Sequence, residues 1–226
     1  MISITNLSKF YGSNQVLNAV NLEFGKGAVH GIVGENGAGK TTLFRCIAGL
    51  ETYEGQISSD FEKLKNHLGL LPTDPFFFAK ITGKEYIQLL VNSRQLKLKN
   101  TEDRNVFDLP LDQYVSTYST GMKKKLALTA ILLQENEVFI LDEPFNGVDL
   151  QSNFVLVEII KKLRSLDKTV IISSHIFSTL ADTCDKIHLM KNGEMVKVAE
   201  QKDFGVLETE MKDFTIGNRI EKLDLK

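Results

Sequence analysis

The chain has 226 residues, and its 27 Lys plus Arg against 29 Asp plus Glu give a formal net charge of -2. That length is enough for one large α/β domain, and the near-neutral charge argues against a general nucleic-acid or anionic-membrane surface. The two cysteines, Cys46 and Cys184, lack CxxC spacing, which argues against a metal-thiolate site and favours buried thiols in a reducing compartment. The N-terminus lacks the features of a secretory signal, and no apolar run approaches the roughly 18 residues of a membrane helix. We therefore expect a cytoplasmic protein.

A glycine-rich segment near the N-terminus predicts a nucleotide triphosphate site. An apolar run at 29–33 precedes the sequence Gly-Glu-Asn-Gly-Ala-Gly-Lys-Thr at 34–41, and a helix-like segment follows. Such loops turn tightly and aim backbone N–H groups at phosphate oxygens, which also lie at the positive end of the next helix. In this pattern Lys40 reaches the β- and γ-phosphates, and the Thr41 hydroxyl holds Mg²⁺. The predicted nucleotide-binding residues of this segment are Gly34, Glu35, Asn36, Gly37, Ala38, Gly39, Lys40, Thr41 and Thr42.

Runs of branched apolar residues predict a buried parallel sheet. The run at 29–33 is joined by similar runs at 138–141 and 170–172, and continuous apolar runs are typical of strands covered on both faces. Apolar residues at helical spacing predict helices over 122–133 and 152–166. Strands separated by helices indicate the crossover connections of an α/β fold.

Three other segments predict the remaining architecture. Alternating apolar and polar residues at 2–7 and 20–24 predict half-buried antiparallel strands, which we expect to flank the base of the nucleotide. Asn-Gly within 187–198 favours a primed turn and hence a hairpin. The more polar stretch 84–115 predicts a small helical subdomain, interrupted at Pro110.

Polar residues follow each buried strand, where open α/β sheets bind their ligands. Asp142 can hold Mg²⁺ through its water shell, and Glu143 can orient and deprotonate an attacking water. The alternative for this pair is an acidic helix N-terminus, which the buried strand and Pro144 disfavour. A lone histidine such as His175 is more often a structural residue whose ring nitrogens are hydrogen-bonded than a catalytic residue. Beside a phosphate loop, His175 is a candidate γ-phosphate sensor.

The sequence Tyr-Ser-Thr-Gly-Met at 118–122 decides between classes of triphosphatase. It resembles the signature motif of ATP-binding cassette (ABC) ATPases, which is usually Leu-Ser-Gly-Gly-Gln and often Tyr-Ser-Thr-Gly-Met in one broad group of exporters. The resemblance covers nearly the whole chain in the order of the family's motifs. The matching positions are Tyr11 for the aromatic ring that stacks on adenine, 34–41 for Walker A, Asp142 and Glu143 for Walker B, 146–149 for the D-loop and His175 for the switch histidine.

The resemblance implies that the signature motif acts in trans. Ser119 is predicted to cap the next helix, so that Ser119, Thr120 and Gly121 present its positive end to a γ-phosphate held by another subunit. Three lysines at 123–125 oppose the helix dipole there, by roughly 0.3–1 kcal/mol each. Nearby anionic ATP can offset that cost. For at least two of the three lysines we predict the simpler alternative, a solvated basic face.

The chain departs from the family after its Gly-Leu-Leu-Pro stretch. The family usually places there a glutamine that contacts Mg²⁺ and the attacking water, whereas this chain has Thr73. The Thr73 side chain is shorter than that of glutamine, but its hydroxyl is a candidate for the same contact with Mg²⁺. Three phenylalanines follow at 76–78. Core packing is the default prediction for them, and a docking surface for a membrane subunit is the alternative.

Together these features predict a P-loop NTPase core, with a helix-flanked parallel sheet, an N-terminal antiparallel β subdomain and a short helical signature subdomain. We predict one ABC ATPase domain over 1–226. Residues 1–73 and 134–226 form its core and antiparallel subdomain, and 74–133 form its helical subdomain.

The resemblance implies a subunit that hydrolyses ATP with Mg²⁺ between two cassettes arranged head to tail. The partner cassette would be identical or different, and a separate membrane-spanning permease would hold the chain at the inner face of the membrane. Export is the implied direction, and no nucleic-acid partner is expected. Two alternatives stay open: a soluble ABC ATPase in assembly or translation, and a regulatory cassette with weak hydrolysis. Intact Lys40, Asp142, Glu143 and His175 argue against the latter.

Overall fold

The structure, a computed structural model, describes residues 1–97 and 100–216. Its strands are β1 (Ile2–Tyr11), β2 (Asn14–Phe24), β3 (Val29–Val33), β4 (Glu54–Ser59), β5 (Leu68–Leu71), β6 (Val138–Asp142), β7 (Thr169–Ser174), β8 (Lys186–Lys191) and β9 (Glu194–Glu200). Its α-helices are α1 (Lys40–Ile47), α2 (Gly83–Asn92), α3 (Thr120–Leu132), α4 (Leu150–Ser165), α5 (Phe177–Ala181) and α6 (Phe204–Ile216).

The larger sheet has the strand order β5-β6-β7-β3-β8-β9, in which only the β8–β9 pair is antiparallel. Every residue of β3, β6 and β7 is buried, which confirms the prediction of two-sided burial. The predicted hairpin is β8–β9. Because β5, β6, β7 and β3 are parallel neighbours, their carboxyl ends meet at one edge of the sheet.

The smaller sheet is antiparallel, with the order β2-β1-β4. It confirms the predicted N-terminal strands, which are longer than the alternating pattern indicated. Its third strand, β4, was not predicted, because its residues are mostly polar and at least partly exposed.

Two apolar clusters cover the faces of the larger sheet. Alternate residues of one strand face opposite sides, and Val170 and Ile172 of β7 belong to one cluster while Ile171 belongs to the other. The first cluster includes residues of α3, α4 and α6, and the second includes residues of α1 and the antiparallel sheet. The phosphate loop, between β3 and α1, is therefore anchored on both sides by core packing.

A third cluster lies among α2, the start of α3 and the loop between them. The helical prediction for 84–115 is correct only for α2, since 3₁₀ turns and irregular backbone follow among the described residues. The Asn105 side chain bonds both the N–H and the C=O of Leu109. Such local bonds compete with a helix. The boundaries of the helical subdomain at 74 and 133 stay a prediction.

Both cysteines are buried and free, as predicted. Burial raises the pKa of the Cys46 thiol to about 11 and that of Cys184 to about 12. Both thiols are therefore protonated and unreactive at neutral pH. None of the described helices combines the length and the hydropathy that crossing a membrane requires.

Candidate nucleotide site

A cleft of about 560 Å³ opens at the edge of the sheet where β3, β5, β6 and β7 end. Its volume is in the usual range for small-ligand sites. The lining residues are Val16, Asn36, Gly37, Gly39, Lys40, Thr41, Thr42, Thr73, Glu143, Asn146 and His175. The structure thus brings together polar residues from four segments that are distant in sequence.

The phosphate loop needs glycine where it enters α1. Gly39 has φ +108°, and a Cβ there would lie 2.9 Å from the side chain of Met190 and 3.0 Å from Val16 O. The next residue, Lys40, is 6% exposed. Its Nζ donates to Gly34 O at 2.7 Å and Glu35 O at 3.2 Å, and lies 3.6 Å from Glu143 Oε1.

Asp142 ends β6 and accepts three hydroxyl hydrogen bonds. Thr41 Oγ1 and Thr73 Oγ1 donate to its Oδ2 at 2.6 and 2.8 Å, and Ser173 Oγ donates to its Oδ1 at 2.5 Å. Mg²⁺ prefers hard oxygen ligands. The adjacent Thr41 hydroxyl and Asp142 carboxylate therefore fit a magnesium ion at this end of the cleft.

Glu143 presents a carboxylate to the cleft from a side chain that is 11% exposed. Its Oε2 lies 2.8 Å from His175 Nδ1, whereas its buried Oε1 accepts no hydrogen bond. A buried carboxylate oxygen without a hydrogen-bond donor is uncommon. Glu143 is the carboxylate among the described residues that line the cleft, so it is the candidate proton acceptor for a water there. His175 thus has a polar partner within the site, and its Nδ1 carries the proton when Glu143 is ionised.

Other predicted residues lie outside this cleft. Tyr11 is 43% exposed, with Lys9 Nζ 4.8 Å from its ring centroid, and Val16 lines the cleft instead. Gly34, Glu35 and Ala38 line a neighbouring cavity of about 400 Å³, between the phosphate loop, the β8–β9 hairpin and α6. The adenine-stacking role of Tyr11 stays a prediction.

The signature residues also lie outside the cleft of their own chain. Ser119 is exposed and caps α3, because its Oγ accepts from Met122 N at 3.2 Å. Thr120 is exposed, and a Cβ on Gly121 would lie 2.7 Å from Gly147 O. The start of α3 therefore packs against the backbone of 146–149 and leaves Ser119 and Thr120 accessible.

The prediction that at least two of the lysines at 123–125 are solvated is wrong. Lys124 is 4% exposed, and its Nζ donates to Glu143 O at 2.9 Å and Asn146 O at 2.8 Å. The side chain of Lys125 is 14% exposed and binds Asp149 Oδ2 at 3.1 Å. The physical reason is helix periodicity: Lys124 lies four residues before Leu128, on the buried face of α3.

The prediction of core packing for 76–78 is correct only for Phe77. Its ring centroid lies 4.5 Å from that of Tyr86. Phe76 is 75% and Phe78 is 58% exposed, and their rings meet edge to face at 5.5 Å. Two aromatic rings are therefore presented on the loop that follows Thr73.

Sequence reasoning assigned no anchoring role to Ser173, which bonds both Asp142 Oδ1 and Glu143 N. Its place in the sequence Ser-Ser-His at 173–175, at the carboxyl end of β7, was the available signal. The role of Lys124 was also missed, although helical spacing from Leu128 could have found it.

A parallel sheet with a glycine loop leading into α1, and acidic residues at the end of the neighbouring strands, defines a P-loop nucleoside triphosphatase. The family model for ABC transporter matches residues 17–146. ABC transporter ATP-binding protein NatA of Bacillus subtilis is 32% identical, over 87% of this chain and 88% of its own length. Bacitracin transport ATP-binding protein BcrA of Enterococcus faecalis is 31% identical, over 87% of this chain and 68% of its own length.

Comparison with solved structures leads to the same family. An ATP-binding subunit of an ABC transporter superposes with a TM-score of 0.86 and 25% identity, covering 95% of this chain and 99% of that subunit. The chain therefore belongs to the ABC transporter family. It is an ATP-binding, ATP-hydrolysing subunit of a transporter.

Thr73→Gln is expected to leave basal ATP hydrolysis unchanged or lower it. The Thr73 hydroxyl already bonds Asp142, and Pro72 and Pro75 restrict the backbone on both sides, so a longer side chain is misplaced. Steady-state hydrolysis and calorimetric ATP affinity are the measurements. Thr73→Ser keeps the hydroxyl and serves as the control. A several-fold rise in turnover at unchanged affinity would show instead that Thr73 is an impaired substitute for glutamine.

Proposed function

We propose that the chain powers outward transport through a separate membrane-spanning permease, as one of two cassettes arranged head to tail. The observation that carries the power-supplying role is the position of Glu143. Its Oε1 accepts no hydrogen bond and lies 3.6 Å from Lys40 Nζ, and its Oε2 lies 2.8 Å from His175 Nδ1. The outward direction rests on the exporter-type signature at 118–122. The permease would hold the chain at the inner face of the membrane.

Within one cassette, each polar group has a distinct role. The ammonium of Lys40 neutralises charge on the β- and γ-phosphates, and the glycine loop supplies N–H donors to them. Thr41 and Asp142 would hold Mg²⁺, with Thr73 close enough to share its shell; the ion would offset phosphate charge. Glu143 takes a proton from water as the water oxygen attacks the γ-phosphorus, and the bond from the γ-phosphorus to the bridging oxygen breaks, giving ADP and phosphate. His175 orients Glu143 and contacts the γ-phosphate.

The second cassette completes each site. Ser119 Oγ accepts from Met122 N, whereas the N–H groups of Thr120 and Gly121 lie at the positive end of α3, where no carbonyl of the helix can accept from them. In the proposed dimer, Ser119, Thr120 and Gly121 bind the γ-phosphate held by the partner cassette. ATP binding then closes the dimer and hydrolysis reopens it.

The exposed Phe76 and Phe78 support the docking alternative for this loop. Exposed aromatic residues are enriched at protein interfaces. The same loop begins at Thr73, which bonds Asp142. A permease helix seated on Phe76 and Phe78 is therefore connected to the nucleotide site through the segment 73–78.

The permease proposal is tested by co-expression with the membrane protein encoded beside this chain, which we expect to contain about six apolar runs of roughly 20 residues. The tagged chain should retain that protein in detergent, and Phe76→Ser combined with Phe78→Ser should release it without changing ATP affinity. Val206→Ser, at an exposed apolar residue of α6, is the control. A soluble neighbour, or retention unaffected by the double variant, contradicts the proposal.

A further inference from the structure

Lys124 is a buried ammonium that the proposed mechanism does not use. Lysine is rarely buried without partners, because removal of its charge from water is unfavourable. Its partners here are two backbone carbonyls, Glu143 O at 2.9 Å and Asn146 O at 2.8 Å. Burial lowers the pKa of Lys124, and the nearby carboxylates of Asp74, Glu143 and Asp142 oppose that shift.

The carbonyls that Lys124 binds belong to the turn that presents the catalytic carboxylate. Glu143 has φ +51°, a left-handed conformation that a residue with a side chain keeps only where its surroundings fix it. Its N–H donates to Ser173 Oγ at 2.9 Å, and its C=O accepts from Asn146 N at 3.2 Å as well as from Lys124. Ser173 and Lys124 thus hold the two ends of this residue's backbone.

Lys124 also connects this turn to the signature helix. It lies in the second turn of α3, three residues after Gly121, which ends the segment 119–121 that is proposed to bind the partner's nucleotide. Two neighbouring residues of α3 contact the same turn. Gly121 packs against Gly147 O, and Lys125 pairs with Asp149. The first two turns of α3 are therefore fixed to the turn 143–149.

We propose that Lys124 is a positioning residue that fixes Glu143 in its left-handed conformation and ties it to the signature helix. The inference rests on the proposed function, in which Glu143 is the base and Ser119–Gly121 serve the partner cassette. When α3 engages the partner's γ-phosphate, Lys124 transmits that movement to the base of its own chain.

Lys124→Met tests this role, because it keeps a long side chain but removes every donor. We expect kcat to fall about 10- to 100-fold, the effect of misplacing a catalytic group by up to about 1 Å. KM for MgATP should change less than about twofold, because Lys124 does not line the cleft. Lys123→Met makes the same change one residue earlier, at an ammonium that bonds neither carbonyl, and should retain normal kcat.

A double-mutant cycle with Glu143→Gln separates positioning from simple destabilisation. If Lys124 acts through Glu143, adding Lys124→Met to Glu143→Gln should lower single-turnover hydrolysis by less than about twofold. Equal losses in both backgrounds, or normal kcat for Lys124→Met, would overturn the inference. If Glu143→Gln alone has no effect, the proposed function fails instead. Should circular dichroism show Lys124→Met unfolded, Lys124→Gln, whose shorter side chain cannot bond both carbonyls, enters the same cycle under the same criteria.

Discussion

Lys40→Ala is expected to abolish measurable ATP binding. Among the described residues that line the cleft, Lys40 supplies the only lysine or arginine side chain, and it is buried. Truncation of a buried charged partner typically costs about 2–5 kcal/mol, which corresponds to a roughly 30-fold or larger loss of affinity. The loss here should lie at the upper end, because the carbonyls of Gly34 and Glu35 would lose their donor and face the phosphates.

Calorimetric titration of the full chain with MgATP measures this effect directly. Lys168→Ala is a matched control, since it removes a partly buried lysine that pairs with Glu137 and does not line the cleft. Its affinity should equal that of the unmodified chain. Unchanged affinity for Lys40→Ala, in a variant with a normal melting temperature, would show that the phosphates bind elsewhere.

The parts of the site that lie on continuous patterns were predictable from sequence. The phosphate loop has its glycines and Lys40 within eight residues, and β3, β6 and β7 are unbroken apolar runs that predict both the sheet and the edge where their polar ends meet. Local sequence and tertiary packing agree at these positions. Asp142, Glu143 and His175 could therefore be placed together before the fold was known.

The parts that depend on partners distant in sequence were not predictable. The bond from Thr73 to Asp142 requires β5 beside β6, and β5 is only four residues long. Helical spacing could place Lys124 on the buried face of α3, but it does not reveal the two carbonyls of another segment that Lys124 binds. Both are tertiary effects that override a local preference.

Glu143→Gln is expected to leave ATP binding intact and to lower turnover by roughly 10²-fold or more, the contribution of a positioned general base. The amide has nearly the same shape as the carboxylate but cannot take a proton from the attacking water. Binding should hold, because the change removes a negative charge 3.6 Å from Lys40 Nζ and therefore reduces competition for that ammonium. Labelled ATP in single-turnover assays measures the chemical step. Glu137→Gln, at a carboxylate that pairs with Lys168, should hydrolyse ATP normally.

The same variant tests the arrangement of two cassettes. With hydrolysis blocked, ATP and Mg²⁺ should trap the closed dimer, because reopening requires loss of the γ-phosphate that Ser119, Thr120 and Gly121 of the partner cassette are proposed to bind. Size-exclusion chromatography of Glu143→Gln should then show a dimer with ATP and a monomer with ADP. A fall in turnover without a dimer, even with the permease present, would keep Glu143 as the base but contradict the head-to-tail arrangement. A turnover loss of less than about tenfold would contradict the assignment of Glu143 itself, since a general base contributes at least about 10²-fold.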